Sequence, residues 1–530
     1  MRDFEQTGRS LAVGQEGMAA TSHPVATLAA VDMLRRGGNA VDAAVTACAV
    51  QCVVEPGSTG IGGDCFALLT QDGSDKVVAY NGSGRTPAAA DIGWYAERGI
   101  TDIERRSPHA ITVPGAVEAW CRLIADHGRL DMAEVLAPAV SLARQGYVIS
   151  PRVAFDTTNQ LALLRSDPNA KRIFLNGDQA PSVGDIRRQP ELADTLAAIG
   201  RDGPDAFYRG AVADDMVSYL EGLGGLHTKA DFAEAKGEYV KPIKARFAGH
   251  DIYECPPNGQ GIVALMILNI LSRFERKGDP LSPDRLHVEI EATRLAYAAR
   301  DRCVADPAHA EVPVDYLLSD KLADELAARI DLSRAIDAMP EFSGAEHKDT
   351  VYIAVVDKER TAVSFINSIF HPYGSGLVSP SSGVLFHNRG QSFVLEQGHA
   401  NAIAPRKRPM HTIIPGMVCR DGRAVMPFGV MGGHYQAMGH AHFLSKVFDD
   451  GLDLQTAIDL PRLFPLPGSN VVEIEGRLRS LVGPELDRRG FRLKAPAWPI
   501  GGAQAIWIDW DRGVLLGGSD PRKDGCALAL

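Results

Sequence analysis

The chain lacks most of the features that would assign it at a glance. No run of about eighteen apolar residues occurs in its length, so no membrane-spanning helix is expected. The opening Met1-Arg2-Asp3-Phe4-Glu5-Gln6 has no apolar signal core, and a cytoplasmic location is the expectation. Basic excess is also missing. Lys plus Arg number 55 against 66 Asp plus Glu, for a net charge of −11, with both signs interspersed. That argues against nucleic acid or an anionic membrane as a partner, yet leaves room for a locally basic pocket. The eight cysteines include no Cys-x-x-Cys pair, and only Cys48 and Cys52 sit one helical turn apart, so buried free thiols are expected. Neither Gly-x-Ser-x-Gly nor His-Glu-x-x-His is present, which removes the usual serine-hydrolase and zinc-protease signatures. The glycine cluster at 57–64 lacks the lysine of a phosphate loop, and its helix precedes the glycines, so it reads as a tight structural turn. His434, His440 and His442 have no carboxylate or cysteine at ligand spacing. No metal and no cofactor are expected.

What is present suits a large layered body. At 530 residues, with 45% apolar and 23% charged, the chain is too long for one ordinary core. Short strands are expected at Ser10–Val13 and Met18–Thr21. A helix capped by Ser22 should run to Arg36, and a second, capped by Asn39, from Ala40 to about Val54. Strands follow at Cys65–Leu69 and Val77–Tyr80. Residues 113–340 read as mainly helical, with helices opening at Ser282 and Asp320 and an interior strand near Asp251–Glu254. From 331 to 349 the apolar period fades into a linker. Beyond it strands are expected at Val351–Val356, Ala362–Ile366, Val384–Phe386, Ile413–Val418 and Ala505–Asp509, with a helix between Gln436 and Phe448. Helices outside packed sheets, an α+β body, is the architecture this order favours.

The most informative stretch begins at His347-Lys348-Asp349, where polar chain runs into Thr350 and then into the apolar Val351–Val356. Apolar residues on both faces of the pleat mean a buried strand. A threonine at its mouth, behind a polar linker, suits a hydroxyl that becomes a chain terminus; it also suits a threonine that simply starts a strand. Gly432-Gly433, ahead of a helical stretch, can aim two backbone N–H groups at one oxygen, the geometry an oxyanion hole requires.

The motifs Gly37 to Ala44, Glu55 to Asp64, Thr350 to Asp357, Gly374-Ser375-Gly376, Lys407-Arg408-Pro409-Met410, Gly432-Gly433 and Gly518 to Gly525 resemble, in order, the gamma-glutamyltranspeptidase family of N-terminal-nucleophile hydrolases. The resemblance implies a four-layer αββα sandwich made as an inactive precursor that cuts its own Asp349–Thr350 bond. A large subunit, 1–349, and a small subunit, 350–530, would stay together as a heterodimer, two of which could pair. Thr350 would then carry both the attacking Oγ and an α-amine base, which titrates near pH 8. Gly432 and Gly433 fall on the oxyanion pair, and Ser368 stands where the family has a supporting Thr. Val351 replaces a second Thr.

The substrate positions depart from the transpeptidase pattern. Ser83 occupies the place of the family's carboxylate-binding Arg, with Arg85 two residues on. His411-Thr412 replaces a serine pair, and Arg389, after Asn388, replaces a neutral Gln. Ser392 replaces the Asp that grips an amino group. Arg85, Arg389 and His411, flanked by Asn388 and Thr412, would suit a small substrate with a carboxylate and no amine. This pattern resembles the oxamate amidohydrolase branch, which implies hydrolysis of a small carboxylate-bearing amide to oxalate and ammonia. Two alternatives stand beside it: a gamma-glutamyl hydrolase or transferase, and an uncleaved binding homologue.

Overall fold

The computed structural model describes residues 8–275, 278–337 and 350–530. The end of the expected linker and Asp349 lie outside the described residues.

Thr350 enters a seven-stranded sheet at its centre. The strand Val351–Val356 pairs antiparallel with Ala362–Ser368 on one side and Met18–Ala20 on the other. Asp64–Thr70, Val78–Gly82 and Glu238–Val240 extend the sheet beyond Ala362–Ser368, and Ala527–Ala529 closes the far edge. A second seven-stranded sheet runs Ala12–Gly14, Val514–Ser519, Gly502–Asp509, Arg423–Met431, Gly416–Arg420, His250–Glu254, Ile243–Phe247. The faces that meet bury Phe66, Leu68, Tyr352, Ala354, Met417 and Met431. Helices cover both outer faces. Pro24–Arg35, Ala40–Val54 and Ala116–His127 lie on the first sheet, and Gly261–Leu271, Pro283–Cys303 and Tyr435–Phe448 on the second. The result is the αββα sandwich.

Local chemistry explains why the central strand is so firmly held. Ala40–Val54 is buried on every face, and its run of alanines lets it lie close to the sheet. Asn39 and Asp42 form a capping box at its start, and Asp357 accepts the Ala40 N–H at 3.0 Å from the hairpin after the strand. On the opposite face Gly429 leaves room for the Tyr352 ring; a β-carbon there would come within 2.4 Å of it. The two sheets therefore meet closely beside Thr350.

Several expectations shift. Arg423–Met431, central to the second sheet, was not expected as a strand because Pro427 and Gly429 break its pattern. Val384–Phe386 forms isolated bridges instead of a strand, and Ile413–Val418 begins later, at Gly416–Arg420. The first helix is capped by His23 instead of Ser22. Among the described residues no helix is long and apolar enough to cross a membrane.

Candidate active site

Two strand ends and one turn converge on Thr350. Its register neighbours place Ser368, at the end of the adjacent strand, alongside, and the two hydroxyl oxygens are 3.2 Å apart. The Phe370 N–H donates to Ser368 Oγ at 2.9 Å, which holds that hydroxyl oxygen beside Thr350 Oγ1. Gln436 adds a longer donor, its Nε2 lying 3.5 Å from Thr350 Oγ1. Both Thr350 and Ser368 are buried.

Gln436 sits in the first turn of Tyr435–Phe448, directly after Gly432 and Gly433. Those glycines have φ of +120° and +58°, conformations open to glycine and costly for other residues. No hydrogen bond among the described residues uses either N–H. A pair of buried, unused amides at a helix entrance is the chemical equipment for holding an oxyanion. Gln436 joins the two parts, since its backbone N–H donates to Gly433 O at 3.2 Å while its side chain reaches Thr350.

Arg389 is linked to Ser368 through Phe370, whose N–H bonds Ser368 and whose ring meets the guanidinium. It is fully buried, and its guanidinium rests 3.9 Å from the centroid of the Phe370 ring. Phe370 holds a φ of +79°, an uncommon backbone for an aromatic residue, and thereby presents its ring to that guanidinium. Arg389 Nη1 donates to Thr412 Oγ1 at 2.8 Å, but Nε and Nη2 are buried with no partner, as is Ser392 Oγ. Burial pushes the guanidinium down to about 9, with Asp64 pulling it back up. Leaving two charged donors unmet in a native core is expensive, and the Nε–Nη2 edge is the one that takes a carboxylate side-on.

The other expected cations do not join this clamp. His411 donates from Nε2 to Asp64 Oδ2 at 3.0 Å, and its Nδ1 accepts the Ile413 N–H at 3.3 Å, so both ring nitrogens are occupied. Burial and the nearby Arg389 push it down to about 3, and it is neutral. Burial works against the Asp64 charge, yet His387, the His411 hydrogen bond and Arg389 together hold that carboxyl at about 2. Its Oδ1 also accepts the Gly84 and Gly115 N–H groups. Arg85 faces a different pocket of about 640 Å³. There it lies 3.5 Å from Asp306 and 3.7 Å from Glu238 and donates to Arg406 O. The expectation of a three-cation clamp therefore reduces to Arg389, because charge was inferred from residue type before the fold supplied partners. Asn388 braces the loop that carries Phe370: it accepts the His371 N–H at 3.1 Å and donates to Gln391 Oε1 at 2.6 Å.

A cavity of about 400 Å³ is lined by His434, Gln391 and Ser392, close in sequence to the glycine turn and to Arg389, while Thr350, Gly432, Gly433 and Arg389 are not among its lining residues. Residues 392–402 form one wall, pinned by Lys407 Nζ on Ala400 O and Ala402 O and by Asn401 on Ser392 O. His434, His440 and His442 bind Arg300, Glu254 and Glu289 respectively, each pointing its own way. No metal-binding cluster occurs among the described residues.

Comparison with known proteins identifies the family and the fold. A sequence model of the gamma-glutamyltranspeptidase family matches residues 26–530. The chain is 35% identical to the glutathione hydrolase-like YwrD proenzyme of Bacillus subtilis, over 98% of this chain and 99% of that one. It is also 35% identical to the oxamate amidohydrolase proenzyme of Klebsiella pneumoniae, over 97% and 98% of the two chains. Among solved structures, a cephalosporin acylase from Bacillus halodurans superposes with a TM-score of 0.93 at 36% identity, covering 100% of this chain and 98% of that one. The chain belongs to the gamma-glutamyltranspeptidase family and is a hydrolase of the N-terminal-nucleophile type.

Proposed function

We propose that the protein cuts its own chain before Thr350 and then hydrolyses small amides that carry a carboxylate and no amine, oxamate being the simplest. Two relatives described as proenzymes, the glutathione hydrolase-like YwrD protein and the oxamate amidohydrolase, support the first step. In that step Thr350 Oγ attacks the carbonyl of residue 349, the peptide nitrogen leaves as the new α-amine, and water opens the resulting ester. The pieces 1–349 and 350–530 stay joined, since the strand Val351–Val356 is paired with Met18–Ala20 and backed by Ala40–Val54.

Turnover then needs only the new terminus. The α-amine takes the Thr350 hydroxyl proton as Oγ adds to the amide carbon. Ser368 and Gln436 hold that oxygen by donating to it, which turns its own hydrogen toward the base. The Gly432 and Gly433 N–H groups receive the oxyanion. Collapse expels the amine, which takes the proton from the α-ammonium, leaving an acyl ester on Thr350. Water, deprotonated by the same α-amine, releases the acid and restores the hydroxyl.

The observation that carries the substrate class is the bare Nε–Nη2 edge of buried Arg389. Asp64, the carboxylate acting on it, is already bonded to Gly84, Gly115 and His411, which leaves it poorly placed to hold a substrate ammonium. A glutathione-like substrate is disfavoured on that ground. Purified protein should release ammonia from oxamate and little chromophore from a gamma-glutamyl anilide; the reverse preference overturns this reading.

A further inference from the structure

The residue that ties the two halves of the site together belongs to neither. Gln260, fully buried, precedes the helix Gly261–Leu271. Its Nε2 donates to Gly433 O and to Thr412 O, each at 2.9 Å, and its Oε1 accepts from Arg300 Nη1 at 2.8 Å. Its backbone N–H donates to His411 O at 2.9 Å. Both amide hydrogens and the amide oxygen are thus used. A primary amide is the uncharged side chain that offers two donors on one nitrogen beside an acceptor. Arg300 has no acceptor, so its position at Oε1 fixes which way the amide faces. The same Arg300 Nη1 lies 2.9 Å from His434 Nδ1, and Tyr297 donates to His434 O, so Pro283–Cys303 also anchors the residue after the glycines. On the clamp side, Thr412 is the residue whose hydroxyl receives Arg389.

We propose that Gln260 is a positioning residue that sets the separation between the oxyanion turn and the Arg389 clamp, and that this separation selects amides by the distance from carboxylate to scissile carbonyl. The proposal rests on the carboxylate-amide reading above. Gln260 and Arg300 precede Thr350 in the chain, whereas the glycines, Thr412 and Arg389 follow it. After cleavage the large piece would supply the spacer on which the small piece's machinery depends.

The test uses Gln260→Met, which keeps the bulk and removes both donors, and Arg300→Lys, which keeps the charge and removes the fork. Each is compared with wild type on oxamate, malonamate and succinamate, which differ by one methylene. Thr350 labelling by phenylmethanesulfonyl fluoride is followed by mass spectrometry as a substrate-independent readout of the oxyanion turn. In Gln260→Met the preference for the best chain length should flatten at least about fivefold in kcat/KM, and labelling should slow at least about tenfold; Arg300→Lys should show the same in smaller degree. A folded Gln260→Met that remains uncut also counts in favour, because self-cleavage passes through an oxyanion at the same turn. If Gln260→Met does not fold, Arg300→Lys decides. A folded, cut variant whose length preference and labelling rate stay within twofold of wild type overturns the proposal. If wild type is labelled at Thr350 but hydrolyses none of the three amides, the carboxylate-amide reading fails, and Gln260 is judged on the labelling rate alone.

Discussion

Two arginines of this protein occupy opposite situations, and their contrast locates the chemistry. Arg85 opens onto the larger pocket, about 640 Å³, but it is one-third exposed and surrounded by Asp306, Glu238 and a backbone carbonyl. Arg389 is fully buried on the Phe370 ring with two nitrogens unmet. An exposed, partnered arginine contributes little beyond about 0–1 kcal/mol, and its removal is absorbed by solvent. A buried guanidinium with bare nitrogens costs about 1–3 kcal/mol or more for each charged donor left unmet, a cost natural cores carry chiefly where a ligand relieves it. Cavity size alone favours Arg85. Unsatisfied polarity favours Arg389, the arginine of the proposed clamp.

The contrast can be broken or sharpened by measurement. Thr350→Ala, which deletes the shared nucleophile, should abolish both chain cleavage and ammonia release; two fragments on a denaturing gel, or residual turnover above background, would remove Thr350 from the mechanism. Arg389→Gln should raise KM for a carboxylate-bearing amide about 100-fold while leaving cleavage intact, since a charge-assisted pair of hydrogen bonds is worth about 2–3 kcal/mol. Ser368→Ala removes the hydroxyl paired with Thr350 Oγ1 and should lower kcat about tenfold with KM little changed. Arg85→Ala, by comparison, should leave kcat/KM within about twofold; a large fall there would bring the surface pocket back into consideration.

The pH dependence separates the two groups that the proposed reaction needs. The α-amine must be neutral, so activity is gained as pH rises through about 8. Arg389 must be charged; burial has lowered its value to about 9, so its charge is lost, and KM rises, as pH climbs through that value. The profile of kcat/KM should be bell-shaped and narrow, and in Arg389→Gln the alkaline limb should disappear while the acid limb stays. His411 should leave no mark near neutrality, because its value lies near 3.

What the sequence revealed and what it hid divide along chain distance. Thr350, its strand and the Gly432-Gly433 turn are local patterns: an apolar run, a β-branched residue at its mouth, paired glycines before a helix. The strand Arg423–Met431 is equally local, yet Pro427 and Gly429 disguise it, and only the Tyr352 ring packed against it explains why glycine is required there. Gln260, Phe370 and Gln436 carried no such signal. Their roles depend on partners such as Thr412, Arg389 and Thr350 that the fold brings from far along the chain. The His411 expectation shifts for the same reason, since burial and Arg389 keep the ring neutral while Asp64, 347 residues away in sequence, pulls the other way.

The most direct test compares wild-type initial rates on oxamate with those on oxamide, the same amide with its carboxylate replaced by a neutral carboxamide, under conditions where the cut chain has been verified by mass. Loss of the Arg389 partner should make oxamide at least about 100-fold poorer in kcat/KM, the equivalent of about 2.7 kcal/mol. Equal rates on the two amides would contradict the assignment of Arg389 as the group that holds the substrate in front of Thr350.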